Sequence, residues 1–220
     1  MEEKKRSYES ESINVTYDLK RCIHAAECVR GLREVFNPDQ RPWIQPEKGE
    51  AEEIAEVVTR CPTGALKYER KDGGEREQVP PKNTISISKD GPVYVRGDLQ
   101  VKDAEGNIIL EDTRLALCRC GISSNKPLCD NSHVDDDFMA PSWFDGEKLA
   151  KGSDSEDTGG KLVLKVMKDG PVLVEGPYQF HSETAPPTSS TKKTALCRCG
   201  GSANKPFCDG THKEIGFEAE

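Results

Sequence analysis

The tightest constraint on this chain is a sixteen-residue motif written twice. It runs Cys118-Arg119-Cys120, then Cys129 and His133, and returns as Cys197-Arg198-Cys199, Cys208 and His212, at the spacing C-x-C-x8-C-x3-H. Three thiols and an imidazole in so short a span make a complete first shell for one metal centre. The spacing also sets local geometry. Two Cys one residue apart both turn inward only on a tight backbone, and Gly121 and Gly200 let the chain turn away after the second. Pro127 and Pro206 stiffen the loop that leads to the third Cys. Asp130 and Asp209 read as helix N-caps, which puts each His in a first helical turn within reach of the same metal. Asn131 and Gly210, at matching positions, are the residue types most tolerant of positive φ, so a left-handed conformation is predicted there.

Three Cys and one His are also a zinc set, and from composition alone zinc and iron–sulfur both stay open. Spacing speaks against zinc, whose sites usually present C-x2-4-C knuckles that neither motif contains. Both copies resemble the CDGSH iron–sulfur domain, with its pattern C-x-C-x2-S/T-x3-P-x-C-D-G-S/T/A-H. Ser123 and Ser202 take the hydroxyl position, and Asn131 in place of Gly is the one departure, mild because Asn tolerates the same backbone. The resemblance implies two [2Fe–2S] clusters, one held by Cys118, Cys120, Cys129 and His133 and one by Cys197, Cys199, Cys208 and His212. A His ligand is neutral where Cys is anionic, so it raises the reduction potential, makes it pH-dependent and is the acid-sensitive point of each cluster. Arg119, Arg198, Lys126 and Lys205 read equally as positive field near the clusters or as solvated surface cations.

The motifs sit inside a longer repeat. Lys89-Asp-Gly-Pro92-Val-Tyr-Val-Arg-Gly97 returns as Lys168-Asp-Gly-Pro171-Val-Leu-Val-Glu-Gly176, offset by 79 residues, and Cys118/Cys197, His133/His212 and Phe138/Phe217 keep the same offset. Each unit is too small for a core of its own. Family members with one motif pair as homodimers by exchanging strands, so the resemblance implies an intramolecular pseudo-dimer of mainly β structure, a β-cap with cluster-binding loops and short helices. The expected units are 84–140 and 161–218, with linkers 71–83 and 141–160, a flexible connector over 147–160 and an exposed tip at Pro186-Pro187.

Ahead of the repeats, residues 1–12 are polar and read as frayed. Ile13–Tyr17 alternates as a strand, Lys20–Leu32 reads as a turn entering a helix, and Arg41–Ile44 reads as extended. Glu50–Arg60 is an amphipathic helix, and Cys61-Pro62-Thr-Gly64 turns into a strand that ends near Tyr68. The order β-α-α-β over 12–70 resembles a divergent single-cluster ferredoxin-like domain, which makes the whole chain α+β. Cys22, Cys28 and Cys61 match its ligand pattern, except that Ala25 stands where a middle Cys belongs. Three thiolates leave a [3Fe–4S] cluster, or a [4Fe–4S] cluster whose fourth ligand is His24 or an outside group. Three clusters then use all nine Cys, which leaves no thiol for a catalytic nucleophile.

Composition fits small domains stapled by metal: 34% hydrophobic and 32% charged is thin for a large core. Net charge of -8 disfavours nucleic acid and anionic membrane as partners. The absence of a signal, transit or spanning segment and the clustered, odd-numbered Cys are read as a soluble cytoplasmic protein with reduced thiols. No hydrolase triad, nucleotide loop or Rossmann turn is present. A non-enzyme is expected, passing single electrons to redox partner proteins, or donating clusters to apo iron–sulfur acceptors, or sensing iron or redox state, as a monomer with an internal two-fold. His181 reads as a surface residue, and Trp43 and Trp143 as core packing.

Overall fold

The computed structural model describes residues 5–144, 149, 158–183 and 186–219, and it divides into two compact units at Gln78/Val79. The first unit holds β1 (Lys5–Glu9), β2 (Ile13–Asp18), α1 (Glu27–Gly31), α2 (Ala51–Thr59) and β3 (Leu66–Arg70). β2 is the centre of an antiparallel sheet in the order β1-β2-β3. Its alternation turns Ile13, Val15 and Tyr17 inward, against Ile54, Val57 and Val58 of α2 and Phe36 and Ile44 of the long connection. Ile13, Ile54 and Val58 are fully buried, each side chain contributing about 1.5–3 kcal/mol. Two expectations change here. Residues 5–9 are not frayed: they pair from Lys5 opposite Asp18 to Glu9 opposite Asn14, because β2 has two edges and β3 covers only one. α1 is five residues long, since the loop before it already spends His24 and Ala26 in positive-φ conformations.

The second unit carries both motifs in one eight-stranded sheet. β4 (Thr84–Ile87), β5 (Val93–Lys102), β6 (Ile108–Leu117) and α3 (Ser132–Asp135) form the first repeat. β7 (Lys161–Val166), β8 (Val172–Glu175), β9 (Tyr178–His181), β10 (Thr188–Ser190), β11 (Thr194–Leu196) and α4 (Thr211–Glu214) form the second. The long β5 corresponds to β8 plus β9: Gly97 sits at an irregularity that β5 bridges, whereas Gly176-Pro177 breaks its counterpart, because Pro cannot donate to a ladder.

The repeats exchange edges. β4 runs parallel to β9 with Thr84 opposite Gln179, and β7 runs parallel to β5 with Val163 opposite Gln100. Adding the 79-residue offset turns one pairing into the other, which is a local two-fold relation between repeats. The shared core draws Ile85, Val95, Leu99 and Leu117 from one repeat and Leu164, Val174, Phe180 and Leu196 from the other. The stretch read as a linker after residue 140 also feeds this core: Phe144 lies 4.6 Å from Phe180, ring centre to ring centre, and Leu149 is buried. Most of the connector expected over 147–160 lies outside the described residues. Trp143 is 56% exposed, so it is not core packing, while Trp43 packs edge-on against Tyr17 at 5.0 Å. His181, at the end of β9, is half-buried with its Nε2 3.0 Å from Gln179 Oε1.

Candidate metal centres

Each motif is built by one device. The strand before it ends at Leu117 or Leu196, which pairs across a tight loop with Leu128 or Phe207. The amide of Cys118 donates to Pro127 O at 2.9 Å and that of Cys129 to Ala116 O at 2.9 Å; Cys197 and Cys208 repeat this at 2.8 Å each. The first and third Cys are thereby held side by side. Inside the loop, Ser123 Oγ donates to Leu128 O at 2.7 Å and accepts from Asn125 N at 3.0 Å, and Ser202 does the same with Phe207 and Asn204. Ser123→Ala removes both of these bonds, so it is expected to cost about 1–3 kcal/mol in chemical unfolding, with Ser123→Thr recovering most of it.

The His-bearing turns follow. Asn131 (φ 78) and Gly210 (φ 95) are both left-handed, as predicted, and they hold the N-cap positions assigned from sequence to Asp130 and Asp209. The Asp carboxylates act one residue earlier. Asp130 accepts from the Ser132 amide at 3.1 Å and hydroxyl at 2.6 Å, and from the Ser124 amide at 2.8 Å and hydroxyl at 2.7 Å, tying turn to loop. Burial opposes its ionisation, but these bonds hold Asp130 well below the usual carboxylate range. Asp209 has the Thr211 and Ala203 amides, and Ala203 offers no hydroxyl.

The donors stand in pairs. Cys118 and Cys120 sulfurs are 3.6 Å apart, and Cys197 and Cys199 3.7 Å. Cys129 Sγ lies 3.5 Å from His133 Nδ1, and Cys208 Sγ 3.4 Å from His212 Nδ1. Two donors on one tetrahedral metal, with metal–sulfur of about 2.3 Å and metal–nitrogen of about 2.0–2.1 Å, lie about 3.5–3.8 Å apart. Each pair therefore spans one edge of a metal tetrahedron. Among the described residues no three such side chains gather tightly enough for a single ion. A hydrogen bond within the first pair pulls the Cys118 thiol down and pushes Cys120 up, and burial lifts Cys129 to about 11 and raises Cys197. Burial keeps His133 below its ordinary value, in the neutral form a metal needs.

Arg119 and Arg198 are not surface cations. Each is 1% exposed. Arg119 donates to Gly91 O (2.9 Å), Pro141 O (2.8 Å), Ser88 O (2.6 Å) and Ala140 O (3.3 Å), and Arg198 donates to Gly170 O (3.0 Å), Met167 O (2.7 Å) and Ala219 O (3.1 Å). Their guanidinium carbons lie 5.4 Å from the rings of Phe138 and Phe217. The signal in the sequence is strand alternation: with Cys118 and Cys120 on one side, the residue between them faces the interior. Lys126 and Lys205 bond to their own loops, at Ser123 O and Ser202 O, both at 2.7 Å.

In the first unit Cys22, Cys28 and Cys61 line one small cavity of about 30 Å³, with Tyr17, Trp43 and Thr63. Burial, then the neighbouring Cys61 and Cys22 thiols, lift Cys28 to about 11, a repulsion that bound cations would relieve. Burial and a hydrogen bond with Cys22 push the Tyr17 hydroxyl upward. His24 is exposed and lines a wider, mostly apolar pocket of about 860 Å³ that shares Tyr17, Cys22, Cys28 and Trp43 with the small one. Tyr17 and Thr63, whose hydroxyl is 3.5 Å from Cys61 Sγ, are additions that ligand spacing alone does not reveal.

Paired soft donors in a duplicated loop of the second unit, together with a three-thiol cavity within the first, point to an iron–sulfur protein, and comparison with known families supports this. Residues 8–71 match the divergent 4Fe-4S mono-cluster family, and residues 90–134 and 169–213 each match the iron-binding zinc finger CDGSH type family. The chain thus carries a divergent mono-cluster domain followed by two tandem CDGSH-type iron-binding domains. Its N-terminal part is 39% identical over 66 residues to the uncharacterized protein YjdI of Escherichia coli K12, and equally to that of strain O157:H7. The match covers 30% of this chain and 87% of either relative. No solved structure matches. No helix among the described residues is long and apolar enough to cross a membrane.

Proposed function

We propose that this chain carries three iron–sulfur centres and passes single electrons between protein partners. The observation behind this reading is the pairing of donors at tetrahedral-edge distances, repeated at the 79-residue offset. Cys118 with Cys120 would hold one iron of a [2Fe–2S] cluster and Cys129 with His133 the other; Cys197, Cys199, Cys208 and His212 would do the same. Cys22, Cys28 and Cys61 would hold three corners of a [4Fe–4S] cluster, with four irons favoured over three by the mono-cluster family match. The fourth corner is assigned to an outside group rather than His24, because His24 is exposed and does not line the cavity the three Cys share. His24→Ala is then expected to leave iron content unchanged, whereas Cys61→Ala removes the N-terminal centre alone, as electron paramagnetic resonance of the two variants would report.

The chemistry belongs to the clusters, and the chain tunes it through ligand charge, buried cations and exposure. Nine free thiols suit a reducing compartment such as the cytoplasm.

A second reading, cluster donation to apo-proteins, is favoured by the position of the His ligands: His133 and His212 sit half-buried on four-residue helices, where a ligand is easily released. Mixing the loaded protein with an apo-ferredoxin separates the two. Fast reversible reduction with the visible spectrum retained is the expected result. Stoichiometric transfer of colour to the acceptor would replace electron carriage with donation.

A further inference from the structure

The N-terminal strand, whose polar sequence reads as frayed, builds the wall of a pocket. In the β1–β2 ladder Arg6 stands opposite Tyr17 and Tyr8 opposite Val15, so both share the sheet face that Tyr17 and Val15 turn inward. Trp43 and Arg41 of the long connection line the same pocket, whose volume of about 860 Å³ is that of a small-molecule site. Its inner end is shared with the three-thiol cavity through Tyr17, Cys22, Ala26, Cys28 and Trp43. Arg6, His24 and Arg41 are exposed and belong to the wider pocket alone. Among the described residues no carboxylate lines it, although the chain has a net charge of -8. The acids nearest in sequence to its lining are engaged elsewhere: Glu27 accepts from Arg30 at 2.5 Å and Asp39 from Arg33 at 2.7 Å. Arg41 is steadied by its own turn, Nη1 donating to Pro38 O at 2.8 Å and to Gln40 O at 2.7 Å.

We propose that this pocket binds a small organic thiol with an apolar body and a carboxylate. The thiol sulfur fills the coordination position that Cys22, Cys28 and Cys61 leave open, the body lies against Tyr8, Tyr17 and Trp43, and the carboxylate meets Arg6 and Arg41. This rests on the iron–sulfur reading above and names the outside group that reading calls for. Each part of the ligand answers one part of the site. A centre held by thiolates takes a soft donor. Aromatic rings bury an apolar body, and guanidinium groups fork onto a carboxylate. On binding, the thiol gives its proton to solvent and its sulfur donates an electron pair to one iron, replacing a solvent ligand, with no change of oxidation state.

The test uses the full chain, loaded anaerobically. Iron and sulfide analysis comes first; a wild-type chain without an N-terminal centre refutes the iron–sulfur reading itself, whatever the pocket binds. The loaded chain is then titrated with 4-mercaptobenzoate, and with thiophenol and benzoate, each of which lacks one of its two polar groups. Calorimetry reads the binding, and electron paramagnetic resonance reads the reduced N-terminal centre. The expected result is a single 4-mercaptobenzoate per chain, an altered resonance of that centre, and binding about tenfold or more tighter than either fragment. Arg6→Gln combined with Arg41→Gln, both at exposed positions, should weaken 4-mercaptobenzoate about tenfold and leave thiophenol unmoved. Should Arg41→Gln lower the iron content through its turn, Arg6→Gln alone is expected to show the same selectivity. Cys61→Ala, which removes the centre, should reduce 4-mercaptobenzoate to the affinity of benzoate. The proposal is overturned by equal weakening of 4-mercaptobenzoate and thiophenol, by benzoate bound as tightly as 4-mercaptobenzoate, by an unmoved resonance at saturation, or by no binding to a chain whose N-terminal centre is intact.

Discussion

Gly121→Ala is expected to cost the protein both repeat-borne centres, not one. The residue has φ 89, a conformation costing a non-Gly residue about 1–3 kcal/mol. Its new methyl would stand 2.2 Å from the carbonyl oxygen of Cys199, which is backbone and cannot swing aside as a long side chain could. Relief requires moving the second loop away, and that loop carries Cys197 and Cys199. Strain and overpacking together place the loss at about 3 kcal/mol or more. Gly200→Ala should behave alike, through the Cys120 carbonyl at 2.1 Å. By contrast Gly210→Ala, also left-handed but with open space around its missing Cβ, should show the conformational cost alone. Thermal unfolding followed by visible absorbance ranks the three. Equal losses for Gly121→Ala and Gly210→Ala would mean that the loops do not press on one another.

Acid should bleach the two repeat-borne centres before the N-terminal one, and His133→Cys should slow that loss at its own site by of order tenfold or more. The sign follows from the ligand. An unfolded imidazole protonates near pH 6.5, while burial lowers His133 in the fold. The neutral ring's contribution is therefore full above the unfolded value and is lost as pH falls through it toward the depressed folded one. A ring that dissociates below about pH 6 is captured by a proton and cannot rebind. A thiolate in its place binds ferric iron as an anion and is not released by the same event. Stopped-flow absorbance after a drop in pH measures the rates; an unchanged rate at the His133→Cys site means that His133 is not the labile ligand.

Much of this was legible in the sequence because metal ligands must come at fixed spacing and repeats must keep a fixed offset. The 79-residue offset anticipated the reciprocal strand exchange of β4 with β9 and of β7 with β5. Residue chemistry at Asn131 and Gly210 anticipated the left-handed turn. What stayed hidden depends on tertiary surroundings. A charged residue reads as exposed, and only the carbonyl cage around Arg119, made by residues 28 and 22 positions away, explains its burial. The Asp130 carboxylate reads as a cap, yet its second partner, Ser124, lies six residues back in the loop. A polar N-terminus reads as frayed because its alternation is weak, and β1 exists because the neighbouring strand offers an edge. Phe144 and Leu149 looked like linker because two apolar residues among polar ones carry no period, although the core they fill is built by strands from both repeats.

Metal and sulfide analysis of protein expressed anaerobically with ample iron is the most direct measurement of the central claim. Coloured protein, with iron and acid-labile sulfide filling two two-iron centres and one larger one, is the result expected. Colourless protein holding zinc in place of iron would contradict it.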